Sequence, residues 1–140
     1  MPDVRGRVWA LRAAAAAAWV NGLGFGAYDL FPIRALAAGE PVPVVVSGFP
    51  VYGGGPFEGV GVPTTMPLLV TFLVVCVLEV AAGVLLWMRR RSGAVLFVVS
   101  AVPGAVFWWG FALPFGWVLA AVGLVLVAWG RPALLPSSST

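Results

Sequence analysis

The sequence has no lysine, no histidine and a single cysteine, and only 9% of its 140 residues are charged. Each shortage excludes something. With no imidazole and one thiol, Cys76, the usual zinc, haem and copper ligand sets cannot be assembled, so no metal site is expected. One cysteine makes neither an intramolecular disulfide nor a CxxC redox pair. Soluble domains carry about 25% charged residues, so a solvated globular surface is excluded as well. There is no phosphate loop, nucleotide fingerprint or hydrolase elbow, and no catalytic residue or cofactor is expected.

What is present is apolar: 61% of the chain is hydrophobic. A small domain buries only about 60–70% of its surface, so lipid must solvate much of the rest. Four apolar segments stand out, at about residues 8–27, 67–88, 93–113 and 115–130. About 17–25 helical residues cross the roughly 30 Å hydrocarbon core; the fourth segment is the shortest and would stand nearly upright. The first has a basic start and an alanine run, Ala13 to Ala18, but no A-x-A site follows, so it reads as a retained helix and not as a cleaved signal. The expectation is an all-α polytopic membrane protein: one domain over residues 1–140, a bundle of four transmembrane helices, an outer loop at about residues 28–65 and a disordered Ser-rich tail at about 136–140.

All eight basic residues are arginine. Arg5, Arg7 and Arg12 open the first segment, Arg89, Arg90 and Arg91 lie between the second and third, and Arg131 follows the fourth. These are alternate connections, and the positive-inside rule places them, with both termini, on the cytoplasmic side of a cell membrane. This pattern orients a membrane protein and does not grip nucleic acid. Trp9, Trp87 and Trp129 fall near the proposed inner edge, and Trp108, Trp109 and Trp117 near the outer one, where indoles favour the headgroup zone. In the outer loop, residues 33–38 read as one or two helical turns ended by Gly39 and Pro41. Val44 to Val46 reads as a short strand or an interfacial segment. Gly53, Gly54 and Gly55 permit unusual backbone angles. The loop either folds down over the mouth of the bundle, with Tyr52, Phe57 and Glu58 as candidate ligand contacts, or forms a flexible surface turn.

Glu79 is the main candidate polar site. It lies about nine residues from the inner end of its helix, hence roughly 13 Å deep, where an acidic side chain costs on the order of 2.5–3.5 kcal/mol. It should face the bundle interior, either as a proton-linked or cation-binding carboxyl or as a structural hydrogen-bonding group, with Asn21 of the first helix as its natural partner. Gly22 and Gly26 form a GxxxG pair that can seat the first helix on the second or on a partner subunit. Gly83, Ser100 and Gly104 are further helix-packing positions. Asp29 and Arg34 could pair in the outer loop. Arg89, Arg90 and Arg91 could also hold anionic lipid headgroups.

The run Leu78-Glu79-Val80-Ala81-Ala82-Gly83-Val84-Leu85-Leu86, followed by Arg91 and Ala94-Val95-Leu96, resembles the second helix and following turn of the DoxX-like membrane proteins. The likeness covers about a third of the chain. It implies a bundle of four helices with Glu79 facing inward. Some relatives are linked with sulfur or redox metabolism, which the lack of a cysteine pair here does not match. The loop from Gly48 to Glu58 and the stretch Phe107-Trp108-Trp109-Gly110-Phe111-Ala112-Leu113-Pro114 depart from that pattern and are similar to small integral membrane proteins of actinobacteria. Three function classes follow: a non-enzymatic accessory protein or binder of a lipid-like ligand, which is preferred; a small proton-coupled transporter using Glu79; and a membrane-embedded redox or quinone-associated subunit. The expected partners are membrane lipids and either further copies of the chain or a membrane partner protein.

Overall fold

The computed structural model describes residues 3–136, so the Ser-rich tail lies, from residue 137 on, outside the described residues. Helix α1 spans Val4–Ala37. It starts where the Asp3 carboxylate accepts a hydrogen bond from the Gly6 N–H at 2.8 Å, an N-cap that satisfies an otherwise orphan donor. Alanine, the strongest helix former, carries it forward. The expected loop at residue 28 does not begin there. The helix runs on through Pro32 and takes in most of the separate turns expected at residues 33–38. Proline removes one backbone bond, but Pro32 and Asp29 are buried, and Tyr28, Ile33 and Leu36 pack on the aromatic core to which the connector contributes Tyr52 and Phe57. That packing offsets the lost bond. At 34 residues the helix is roughly 50 Å long.

The connector, residues 38–65, has its own structure. Strands β1 (Val45–Val46) and β2 (Phe49–Pro50) pair antiparallel, with Val46 opposite Phe49. The two residues between them, Ser47 and Gly48, have φ of 52° and 83°, as a tight hairpin turn requires. A 3-10 turn follows at Tyr52–Gly54, then the short helix α2 at Pro56–Gly59. None of Gly53, Gly54 and Gly55 has a positive φ. The glycine run provides room and not unusual angles: a Cβ on Gly55 would lie 2.5 Å from the Gly110 carbonyl oxygen.

Three long helices complete the chain: α3 (Met66–Trp87), α4 (Arg91–Gly110) and α5 (Gly116–Gly130), the last continued by a 3-10 turn to Ala133. α4 stops three residues short of the expected end, and Phe115 enters α5 in a left-handed conformation. Helix α1 packs on both α3 and α5, α4 packs on the far side of α3, and α4 and α5 touch only lightly. Two cores result. At the connector end, aromatic side chains dominate: Tyr52, Phe57, Phe72, Phe107, Trp108 and Phe111. At the arginine end the core is small and aliphatic, with Leu11, Ala14, Ala15, Ala18, Leu86 and one aromatic, Phe97.

Among the described residues, three helical stretches are long and apolar enough to cross a membrane: Met66–Trp87, Arg91–Gly110 and Gly116–Ala133. Their outward faces carry valine, including Val77, Val95, Val102, Val118 and Val125. A surface of this kind suits hydrocarbon better than water. Helix α1 is the most polar of the four long helices, because Arg5, Arg7, Arg12, Asn21, Asp29 and Arg34 all lie on it.

Candidate functional site

Glu79 sits in α3 and is buried. Its neighbour is Gly104 of α4: a Cβ there would lie 3.3 Å from Glu79 Oε1 and 3.0 Å from the Trp108 ring. The absent side chain leaves the space that the carboxyl and the indole share. Asn21 does not pair with Glu79. Its Nδ2 donates, at a long 3.4 Å, to the Gly116 carbonyl at the start of α5, and its Oδ1 has no protein partner.

Gly22 and Gly26 both face α3. A Cβ on Gly22 would lie 2.6 Å from the Cys76 carbonyl oxygen and 2.7 Å from Val80, whereas one on Gly26 would make ordinary contact, 3.5 Å, with Cys76. Gly83 lies against the Trp19 indole, whose N–H donates to the Val80 carbonyl at 3.3 Å. The Ser100 hydroxyl is turned back on its own helix and donates to the Phe97 carbonyl at 3.2 Å.

The group that sequence reading misjudged is Asp29. No ion pair with Arg34 forms. Asp29 is fully buried with neither carboxylate oxygen hydrogen-bonded, while Arg34 is exposed. Burial raises the Asp29 pKa from its ordinary value to about 7, because desolvation penalises the charged form. The Tyr52 hydroxyl is likewise buried and unpartnered. Its pKa is pushed upward by burial first, then by the nearby Asp29, Cys76 and Tyr28. The Tyr28 and Tyr52 rings stack with centroids 6.2 Å apart.

Tyr52, Phe57 and Glu58 do not form an open mouth. Tyr52 and Phe57 are buried in the aromatic core. Phe57 meets Phe111 edge-on at 5.2 Å and Phe107 at 6.1 Å. Burying two such side chains contributes about 1.5–3 kcal/mol each, so the connector is fastened down. Glu58 is exposed and accepts the Thr64 N–H at 2.7 Å, which braces the chain before α3.

A pocket of about 320 Å³ opens beside this plug, between α1, the hairpin and the start of α5, with Asn21, Phe25, Tyr28, Phe49 and Phe115 among its walls. Gly24 also lines it and leaves it open, since nothing lies within 4 Å of its Cβ position. The Tyr28 hydroxyl donates to the Val46 carbonyl at 2.8 Å and ties the hairpin over the pocket. The spacing of Asn21, Gly24, Phe25 and Tyr28 along one helix face was the signal in the sequence that could have found it.

The arginine turn is divided in its work. Arg89, at φ 59°, donates from Nε to the Ala133 carbonyl at 2.9 Å, and its own carbonyl accepts the Leu135 N–H at 2.8 Å. It staples the turn before α4 to the segment after α5. The Arg12 guanidinium lies 5.0 Å from the Trp87 ring centroid, a cation–π contact. The chain matches no family model, no curated protein and no solved structure.

Proposed function

We propose that this chain is an integral membrane protein of four spans that binds a lipid-like small molecule beneath its hairpin. The observation that carries the reading is the aromatic pocket of about 320 Å³ with Asn21 among its walls. Concave, largely apolar sites with a few convergent polar groups are where small molecules bind. The ligand is apolar over most of its surface, as the pocket walls are. Helix α1 supplies the fourth span, over about residues 8–27: Val20 and Leu23 point outward from it, continuing the aliphatic belt of the other three. The ends bearing Arg7, Arg89 and Arg131 meet, since Gly130 abuts the Arg7 carbonyl and Arg89 bonds to Ala133. That supports one cytoplasmic face, with the hairpin outside. The DoxX-like resemblance belongs to this proposal and rests on the α3 residues around Glu79.

The test fills the pocket. Gly24→Trp places an indole where the side chain meets nothing. A photoreactive alkyl probe should label the wild-type peptide containing Phe25 and Tyr28, and labelling should fall at least severalfold in the variant while the protein stays folded. Equal labelling of both forms refutes the site.

A second reading is a proton-coupled carrier. It is favoured by Glu79, a carboxyl buried within α3, since intramembrane acids mark proton and ion paths.

A further inference from the structure

The loose contact between α4 and α5 leaves a groove of about 870 Å³. Its walls are aliphatic, with Val95, Val98, Leu124 and Val127 among them, and Arg91 and Arg131 both line it. Arg91 is the first residue of α4 and Arg131 follows the last residue of α5, so both arginines sit at one end of the groove. They are held there by the fold: the Arg89 bonds to Ala133 and Leu135 join the two segments that carry them. Both are exposed.

We propose that this groove binds one anionic phospholipid, with its phosphate between Arg91 and Arg131 and one acyl chain lying along the valine and leucine wall. The site rests on the membrane reading above but not on the hairpin pocket. Two guanidinium groups lining one end of the groove suit a phosphate diester, which a guanidinium can hydrogen-bond in a bidentate way. From Arg91 to Val99 the wall runs eight residues, roughly 12 Å, close to one leaflet's share of the roughly 30 Å core.

Other occupants fit less well. A second copy docked on a parallel twofold would set four arginines together, a like-charge cost. The four residues after Pro136, three serines and a threonine, are too polar for the wall. Of the expected headgroup contacts Arg89, Arg90 and Arg91, only Arg91 reaches the groove; Arg89 is the staple and Arg131 takes the second place.

The experiment is native mass spectrometry of the detergent-solubilised full chain, equilibrated with equimolar dioleoyl phosphatidylglycerol and dioleoyl phosphatidylcholine. One bound phosphatidylglycerol is expected, enriched over phosphatidylcholine by roughly thirtyfold, the scale of two arginines at a membrane surface. Arg91→Gln with Arg131→Gln should bring the ratio to parity. Arg5→Gln with Arg7→Gln, which removes the same charge at the same end, should leave it unchanged. Val98→Trp, on an outward face, should lower retention of both lipids. Glycerol 3-phosphate at millimolar concentration should not displace the lipid, because it lacks the acyl chain. Equal retention of the two lipids by the wild type, enrichment that survives the Arg91/Arg131 change, equal loss in the Arg5/Arg7 control, or displacement by glycerol 3-phosphate each overturns the site. So does a dimer that Val98→Trp dissociates with no lipid lost. A chain that stays soluble without detergent would instead overturn the membrane reading itself.

Discussion

The contact between α1 and α3 makes a prediction that a small-residue motif alone does not. Gly22 and Gly26 are four residues apart, and the GxxxG pattern treats them as equivalent. The geometry does not. A Cβ on Gly22 would meet the Cys76 carbonyl oxygen at 2.6 Å and the Val80 nitrogen at 3.1 Å. These are backbone atoms and cannot rotate away, so α1 and α3 must part by about 1 Å to reach ordinary contact. Overpacking of this kind costs about 1–3 kcal/mol, against a helix-propensity gain of about 1 kcal/mol for glycine to alanine. At Gly26 the nearest atom would be 3.5 Å away, and at Gly24 nothing lies within 4 Å, so both keep the gain. Gly22→Ala should therefore be less stable than Gly24→Ala and Gly26→Ala by about 1–3 kcal/mol, a gap of roughly 4–12 °C in midpoint for a chain of this size. Thermal unfolding in detergent, followed by tryptophan fluorescence, reads it. If the three variants shift alike, or if Gly26→Ala is the worst, the helices do not meet as described.

Two further outcomes follow from the buried acids. The folded-state pKa of Asp29, about 7, lies above its ordinary value of 3.8, so the native state holds this proton more tightly than the unfolded chain. Its contribution to stability is full below about pH 4, falls as pH rises through 4 to 7, and then levels off. Melts between pH 4.5 and 8.5 should show that slope in the wild type and a shallower one in Asp29→Asn; an equal slope in both places the titration elsewhere. Glu79→Gln should leave the midpoint near the wild type. Glu79→Ala should lower it by about 1–3 kcal/mol, because it empties the space shared with Trp108. The carrier reading adds that proteoliposome transport vanishes in Glu79→Gln, and a surviving signal removes its centre.

The apolar segments and the arginine placement were readable because both follow from composition along the chain. Which face of each helix is buried was not. In water the hydrophobic stripe marks the core, but here Val95 points outward and Phe97 inward, and both are apolar. Periodicity carries little information when the solvent is also oil. The end of the first helix misled in a different way. Set at about residue 27, it left Asp29 and Arg34 in a loop, where they could meet. Because the helix continues, five residues separate them at about 100° each, so they point to different sides. The aromatic pocket was half legible: Asn21, Gly24, Phe25 and Tyr28 share one face of α1, but Phe49 from the hairpin and the left-handed Phe115 before α5 join them only in the tertiary fold.

The distribution of unpaired polar atoms separates the two ends of the molecule. Asn21 Oδ1, both Asp29 oxygens, the Tyr52 and Thr64 hydroxyls and the Trp108 indole N–H are buried without a protein partner. Tyr52 and Trp108 belong to the aromatic core at the connector end, and Asp29 is near enough to Tyr52 to act on its proton. Each such atom costs about 1–3 kcal/mol if nothing bonds to it. At the arginine end the counterpart is Arg12 Nε, and its guanidinium rests on Trp87. A chain of 140 residues has only about 5–15 kcal/mol of net stability, so five such side chains in one half weigh heavily on that margin. Of these side chains only Asn21 is among the walls of the hairpin pocket, and its Oδ1 is itself buried. Hence the ligand proposed for the hairpin pocket meets an almost wholly apolar wall, and a plain hydrocarbon of the same size should bind there more tightly than its alcohol, whose hydroxyl would be buried without a partner.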